Sequence, residues 1–162
     1  MKTITITRPD DWHVHIRTGA ILKTVLPYTS RQFARAIIMP NLKPPVTTVG
    51  QALLYRDEIL AAMPMGAGFT PLMTLYLTAA TTEAEIKKAA DSEHIYAFKL
   101  YPAGATTHSD SGVANIKAAY PLFAAMEKYQ IPLLIHGEVT DTDCDIFDKQ
   151  GVLIDRYLAD IL

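Results

Sequence analysis

The sequence predicts an α/β fold in which helices cover a parallel sheet, arranged as a partial (β/α)8 TIM-type barrel with about five of its eight strand–helix units present. Three observations predict it. Short apolar segments alternate with amphipathic ones along the 162 residues, and strands that are apolar on both sides belong to a covered parallel sheet. The first strand is followed by a lone Gly19 rather than a glycine-rich turn, which weakens an open dinucleotide-binding sheet. The polar residues His13, His15, Asn41, Lys99 and His136 each fall at or just past the carboxyl end of an expected strand, the end where barrels gather their chemistry. One domain over residues 1–162 is expected, the amino-terminal part of a barrel that takes about 250 residues when complete.

The elements follow in order. Residues 3–7 alternate threonine with isoleucine, the period of a short strand. Residues 12–17 carry the same alternation into the first core strand. Residues 21–33 read as a helix from Ile21, Leu22, Val25 and Leu26, and Pro27 must bend it. Ala36-Ile37-Ile38-Met39 makes residues 35–40 a buried strand, stopped by Pro40. The next loop ends on Thr48, an N-cap for an amphipathic helix over residues 49–63. Residues 69–77 form the third strand. Thr81 or Thr82 caps a helix through residue 91, with Glu83 and Glu85 early and Lys87 and Lys88 late, the order that suits the helix dipole. Residues 95–101 are the fourth strand, 106–112 a polar loop expected to be mobile, 114–129 a helix, 132–136 the fifth strand and 152–162 a final helix.

Apolar residues make up 49% of the chain, charged residues 20%, and the formal charge is −2. That balance gives no electrostatic footprint for nucleic acid, and no apolar run is long enough for a membrane span. The amino terminus lacks the apolar core of a signal peptide. The single cysteine, Cys144, cannot form an internal disulfide, and its neighbours Asp143 and Asp145 disfavour a thiolate. A cytoplasmic protein with no nucleic-acid or membrane partner is expected.

The chemistry lies in four places. His13 and His15, two residues apart on a strand, share a face; they form half of a metal site or a hydrogen-bonded polar patch. Arg17 keeps their parity and can hold a carboxylate through two parallel hydrogen bonds. His136 ends an apolar strand and, once buried, needs a metal or a backbone carbonyl as partner. Lys99 sits within Tyr96-Ala97-Phe98-Lys99-Leu100-Tyr101. A lysine buried there must pair with a carboxylate, lose its proton or be modified. A neutral amine reacts with carbon dioxide to give a carbamate, an anionic ligand able to bridge two metals.

Taken together, Asp11-Trp12-His13-Val14-His15-Ile16-Arg17, the block Ile38-Met39-Pro40-Asn41-Leu42-Lys43-Pro44-Pro45, the block Lys99-Leu100-Tyr101-Pro102-Ala103-Gly104 and the block Leu134-Ile135-His136-Gly137-Glu138 resemble dihydroorotases of the shorter bacterial type, in the amidohydrolase superfamily. The resemblance implies a barrel with two zinc ions at its carboxyl face. It implies reversible hydrolysis of dihydroorotate to N-carbamoyl-L-aspartate in de novo pyrimidine biosynthesis. By the same resemblance His13 and His15 would hold the more buried zinc, carbamylated Lys99 would bridge both ions, and His136 would bind the second. Arg17 and Asn41 would grip the substrate carboxylate, with His15 and His136 also lining the substrate site. Thr106 and Thr107 match a pair on the family's mobile loop. The family's further histidine ligand and catalytic aspartate match nothing here, since Asp110, Asp141, Asp143, His94 and His108 do not fit those motifs. No catalytic residue is therefore assigned. The chain is expected to be inactive alone, to expose open sheet edges and an uncovered apolar inner face, and to need the carboxyl-terminal half of the barrel. A homodimer is expected for the intact protein. Two other readings stay open: a related cyclic amidase of the hydantoinase type, which would not need the Arg17 and Asn41 clamp, and a non-catalytic dihydroorotase-like scaffold subunit.

Overall fold

The computed structural model describes residues 2–161, so the first residue of the expected domain and the last of the expected final helix lie outside the described residues. Strands and helices alternate: β1 Asp11–Val14, α1 Gly19–Gln32, β2 Arg35–Ile38, α2 Val49–Ala62, β3 Thr70–Tyr76, α3 Glu83–Ala90, β4 Ile95–Leu100, α4 Tyr120–Lys128 and β5 Leu133–Ile135. The sheet order is β1-β2-β3-β4-β5 and every neighbouring pair is parallel. The result is half of a barrel, with the helices packed on the outside.

Strand alternation divides the sheet into two faces. The outer face carries Ala36, Ile38, Met73, Leu75, Phe98 and Leu100, which join Leu22 and Leu26 of α1, Ala52, Tyr55 and Ile59 of α2, and Ile86 and Ala89 of α3 in one core. The inner face carries a smaller cluster of Ile37, Met39 and Leu72, packed with Leu134. Continuing that parity places His13 and His15, Thr74 and Tyr76, Ala97 and Lys99, and finally Tyr101 and His136 on the inner side. The lower part of this face is not uncovered as expected: Ile37, Met39 and Leu72 are 7%, 2% and 3% exposed.

Local chemistry sets the helix ends. Thr48 Oγ1 accepts from the Gln51 amide at 3.3 Å, and Gln51 Oε1 accepts from the Thr48 amide at 3.2 Å, so both residues satisfy free donors at the start of α2. Thr82, not Thr81, caps α3 by accepting from the Glu85 amide. The Glu85 carboxylate in turn accepts from the Val49 amide at 2.6 Å, tying α3 to the start of α2.

Four expectations need correction. Residues 3–7 form no strand; Ile4 and Ile6 are exposed, and β1 pairs only with β2. The first strand ends at Val14, and Arg17 has a left-handed φ of 57°, which breaks the alternation assumed through it. The helix expected over 114–129 begins as a 3-10 turn, Ile116–Ala119, and becomes α-helical where Pro121 fits the first turn. The last helical segment starts earlier than its apolar pattern, at Lys149, and runs through α5 Lys149–Leu153, a π turn Ile154–Leu158 and α6 Ala159–Ile161. No helix among the described residues is long and apolar enough to cross a membrane.

Candidate functional site

The carboxyl ends of the strands form a polar rim on the inner face. At β1 the Nε2 atoms of His13 and His15 lie 3.2 Å apart, with ring centroids 5.1 Å apart. Two anchors hold this pair: the His13 amide donates to Asp11 Oδ1 at 2.9 Å, and the Met39 amide donates to the Val14 carbonyl at 3.0 Å. His15 Nδ1 lies 2.8 Å from Oδ1 of Asn41, which stands just past β2 and is 1% exposed. The Asn41 Nδ2 donates to the Thr107 carbonyl at 2.9 Å. The Asn41 carbonyl accepts from Arg17 Nη1 at 3.0 Å and lies 3.2 Å from His108 Nδ1. The Tyr55 hydroxyl holds the unusual backbone of Arg17 by donating to its carbonyl at 2.7 Å. Arg17 thus reaches the rim by a backbone turn rather than by strand parity.

Lys99, on β4, is 3% exposed and faces no carboxylate partner among the described residues. Its Nζ lies 5.4 Å from the centre of the Tyr101 ring. Burial lowers the amine from its ordinary 10.5 to about 8. Tyr101 stacks on Tyr76 at 4.9 Å and lies 6.0 Å from the His136 ring. Burial pushes the Tyr76 phenol up to about 12 and the Tyr101 phenol up as well. The His136 amide donates to the Leu100 carbonyl at 2.9 Å, which sets this imidazole just beyond β5. The Tyr101 hydroxyl and His136 Nε2 are both buried without a hydrogen-bond partner. Glu138 Oε2 lies 3.5 Å from His136 Nε2, an ion-pair distance without hydrogen-bond alignment.

Electrostatics tie the two clusters together. His13 is held below its ordinary value first by burial, then by the charges of Lys99 and His136, against the opposite pull of Asp11. His15 is lowered first by burial and then by Arg17, with His13 and Lys99 adding to this and the Asn41 bond opposing it. Neutral imidazoles are the form that ligates metals.

The 106–112 loop is docked on this rim. The Thr106 amide donates to Ser109 Oγ at 2.9 Å, and Ser109 Oγ donates back to the Thr106 carbonyl at 2.6 Å. Thr107 is held through its carbonyl by Asn41, and the Tyr76 hydroxyl approaches the His108 carbonyl at 3.5 Å. Gly112 closes the loop against β4: a Cβ there would meet the Tyr101 carbonyl oxygen at 2.3 Å.

Among the described residues, no group of three or more His, Cys, Asp and Glu side chains is placed to hold a metal by itself. His13 and His15 are a pair, and His136 and Lys99 stand on the same inner side of the sheet. The nitrogen-rich donors, the unbonded His136 Nε2 and the buried amine without a counter-ion together fit a site for a divalent metal that accepts imidazole and carboxylate-type ligands. The sequence reading did not single out Tyr76, Tyr101 or His108 as site residues. Counting strand parity outward from Lys99 finds Tyr101, and the matching face of β3 finds Tyr76.

The Amidohydrolase family profile matches residues 6–156. A curated dihydroorotase from Idiomarina loihiensis is 58% identical over 161 residues, which are 99% of this chain and 47% of that protein. Among solved structures, dihydroorotase from Campylobacter jejuni superposes with a TM-score of 0.84 at 37% identity, covering 94% of this chain and 44% of that one. Dihydroorotase from Saccharomyces cerevisiae, in complex with 5-fluoroorotic acid, superposes with a TM-score of 0.79 at 35% identity, covering 91% of this chain and 42% of that one. The chain spans about half the length of the curated relatives it matches.

Proposed function

The chain belongs to the amidohydrolase family, and from that premise we propose that it forms the metal-binding half of a dihydroorotase, a zinc hydrolase interconverting dihydroorotate and N-carbamoyl-L-aspartate. One observation carries the reading: Lys99 is buried without a carboxylate on the same face as two imidazoles whose Nε2 atoms lie 3.2 Å apart. An amine lowered to about 8 by burial is neutral often enough to act as a nucleophile near physiological pH. In this reading its nitrogen lone pair bonds the carbon of carbon dioxide and one proton leaves the nitrogen. A cation is thereby replaced by an anionic, two-oxygen ligand.

His13, His15, His136 and a carbamylated Lys99 are the residues that would hold the zinc. When bound, such ions make water a nucleophile near neutral pH and polarise the amide carbonyl. The protein's own residues do the rest. Arg17 and the Asn41 Nδ2 hydrogen not given to Thr107 would orient the substrate by its carboxylate, beside the docked 106–112 loop. None of the described residues is assigned as the acid that protonates the leaving nitrogen, and that role is left to barrel units beyond the span matched in the relatives. The carboxylate clamp favours dihydroorotate over a plain hydantoin. The reading carries with it a small-molecule substrate, a barrel completed by further units, a homodimer and a cytoplasmic setting.

Zinc and carbon dioxide test it together. Purified in bicarbonate, the chain is expected to carry zinc by elemental analysis and a mass increase of one carbon dioxide on Lys99. Lys99→Ala is expected to lose both. A chain that takes up neither overturns the reading in favour of a scaffold.

A further inference from the structure

We infer that Asn41 is a positioning residue with two duties: it fixes the tautomer of His15, and it latches the 106–112 loop to the same atom group. The argument starts from the amide itself. Asn41 is 1% exposed, and a buried carboxamide has one end that donates and one that accepts. Its Nδ2 lies 2.9 Å from the Thr107 carbonyl oxygen. A carbonyl only accepts, so this contact decides which way the amide faces. Its Oδ1 therefore lies on the other side, 2.8 Å from His15 Nδ1. An amide oxygen also only accepts, so the hydrogen sits on Nδ1. A neutral His15 then keeps its lone pair on Nε2, the atom 3.2 Å from His13 Nε2.

The loop thus sets the tautomer of His15 through Asn41. If Thr107 moves away, the amide is free to turn. With its NH2 group toward His15, Nδ1 would carry the lone pair and Nε2 the hydrogen, and a protonated Nε2 cannot ligate. The backbone of Asn41 reinforces the link, because its carbonyl accepts from Arg17 Nη1 at 3.0 Å and lies 3.2 Å from His108 Nδ1 of the loop. One residue therefore meets the loop, the arginine and the histidine pair. The inference rests on the metal-ligand reading of His15 only in its zinc arm; the tautomer and loop arms are read without metal and stand or fall separately.

Two variants separate the duties in the full chain. Asn41→Asp keeps an oxygen toward Nδ1–H but has no donor for Thr107. Asn41→Leu removes both. In metal-free protein at mildly alkaline pH, nitrogen-15 imidazole spectra are expected to show His15 as the Nδ1–H form in the unmodified chain and in Asn41→Asp. In Asn41→Leu the signal is expected to shift to the Nε2–H form. Amide exchange over residues 106–109 is expected to rise about 10-fold or more in both variants. Zinc added alone is expected to bind about 10–100-fold more weakly to Asn41→Leu and to show a smaller loss in Asn41→Asp. Nδ1–H persisting in Asn41→Leu, or unchanged loop exchange in Asn41→Asp, overturns the inference. Should Asn41→Leu not fold, Asn41→Asp still decides: an Nε2–H form or an unmoved loop there overturns it too.

Discussion

Lys87 and Lys128 sit on the helical layer, and Lys99 sits on the inner face of the sheet. The first two are exposed, and each meets a carboxylate: Asp91 Oδ2 at 2.5 Å and Glu83 Oε1 at 2.7 Å. Those hydrogen bonds hold both amines above the ordinary lysine range. Lys99 is buried beside a tyrosine ring and falls to about 8. Uncharged groups show the same contrast. On the helical side Thr48, Thr82 and Asn115 each accept a backbone amide at a helix start, with Ser30 Oγ of α1 the exception left without a hydrogen bond, while on the inner face the Tyr101 hydroxyl and His136 Nε2 make no hydrogen bond. One residue type behaves oppositely in the two regions because its surroundings differ. A region that leaves polar atoms unbonded gives up stability and keeps those atoms available to a ligand.

The largest effect that would sharpen this contrast comes from Lys99→Met. In metal-free chain at neutral pH it is expected to raise stability by about 2–3 kcal/mol, since a lone buried ammonium is removed. The sign with pH follows from the lowered value. Between about 8 and 10.5 the unfolded chain still holds the Lys99 proton and the folded chain has released it, so wild-type stability rises across that window. The gap between wild type and Lys99→Met should therefore close as pH rises, which urea unfolding at several pH values can follow. A gap independent of pH would break the comparison.

Gly112→Ala comes next. It asks whether the rim is loose in packing as well as unsatisfied in its polar groups. A Cβ 2.3 Å from the Tyr101 carbonyl oxygen is expected to cost about 2 kcal/mol, read from the denaturation midpoint, and to raise amide exchange in the loop. Thr48→Ala probes the other region. Losing the α2 cap is expected to cost about 1 kcal/mol, with no change in zinc uptake. Smallest is Glu83→Gln, which removes the exposed partner of Lys128; the unfolding midpoint at physiological salt should not move measurably. A large loss there would mean that the helical layer depends on its ion pairs after all.

Much of this arrangement could be read from residue order. Ile37-Ile38-Met39 before Pro40 marked a buried strand, and β2 is found there. Lys99 and His136 stand out because polar side chains in apolar strands are expensive, and His13 and His15 because their two-residue spacing puts both imidazoles on one strand face. Tyr76 and Tyr101 do not, since a tyrosine in an apolar run reads as ordinary core. Residues 3–7 were misread because alternation is a local signal and a strand needs a neighbour to pair with. Arg17 reaches the rim for a reason parity does not give, because the strand stops at Val14 and Arg17 takes a left-handed φ. The Asn41–Thr107 bond joins residues 66 apart, and no local pattern announces it. Docking of the loop was invisible for the same reason.

Strand order and chain order coincide in this sheet. Each new strand pairs with the one made just before it, so no pairing waits for a distant segment to arrive. Folding can therefore keep pace with synthesis, with a single helix-containing crossover to close at each step. The histidine pair takes its place first, Asn41 next, Lys99 later and His136 after that. Each newcomer meets a surface already laid down by its predecessors.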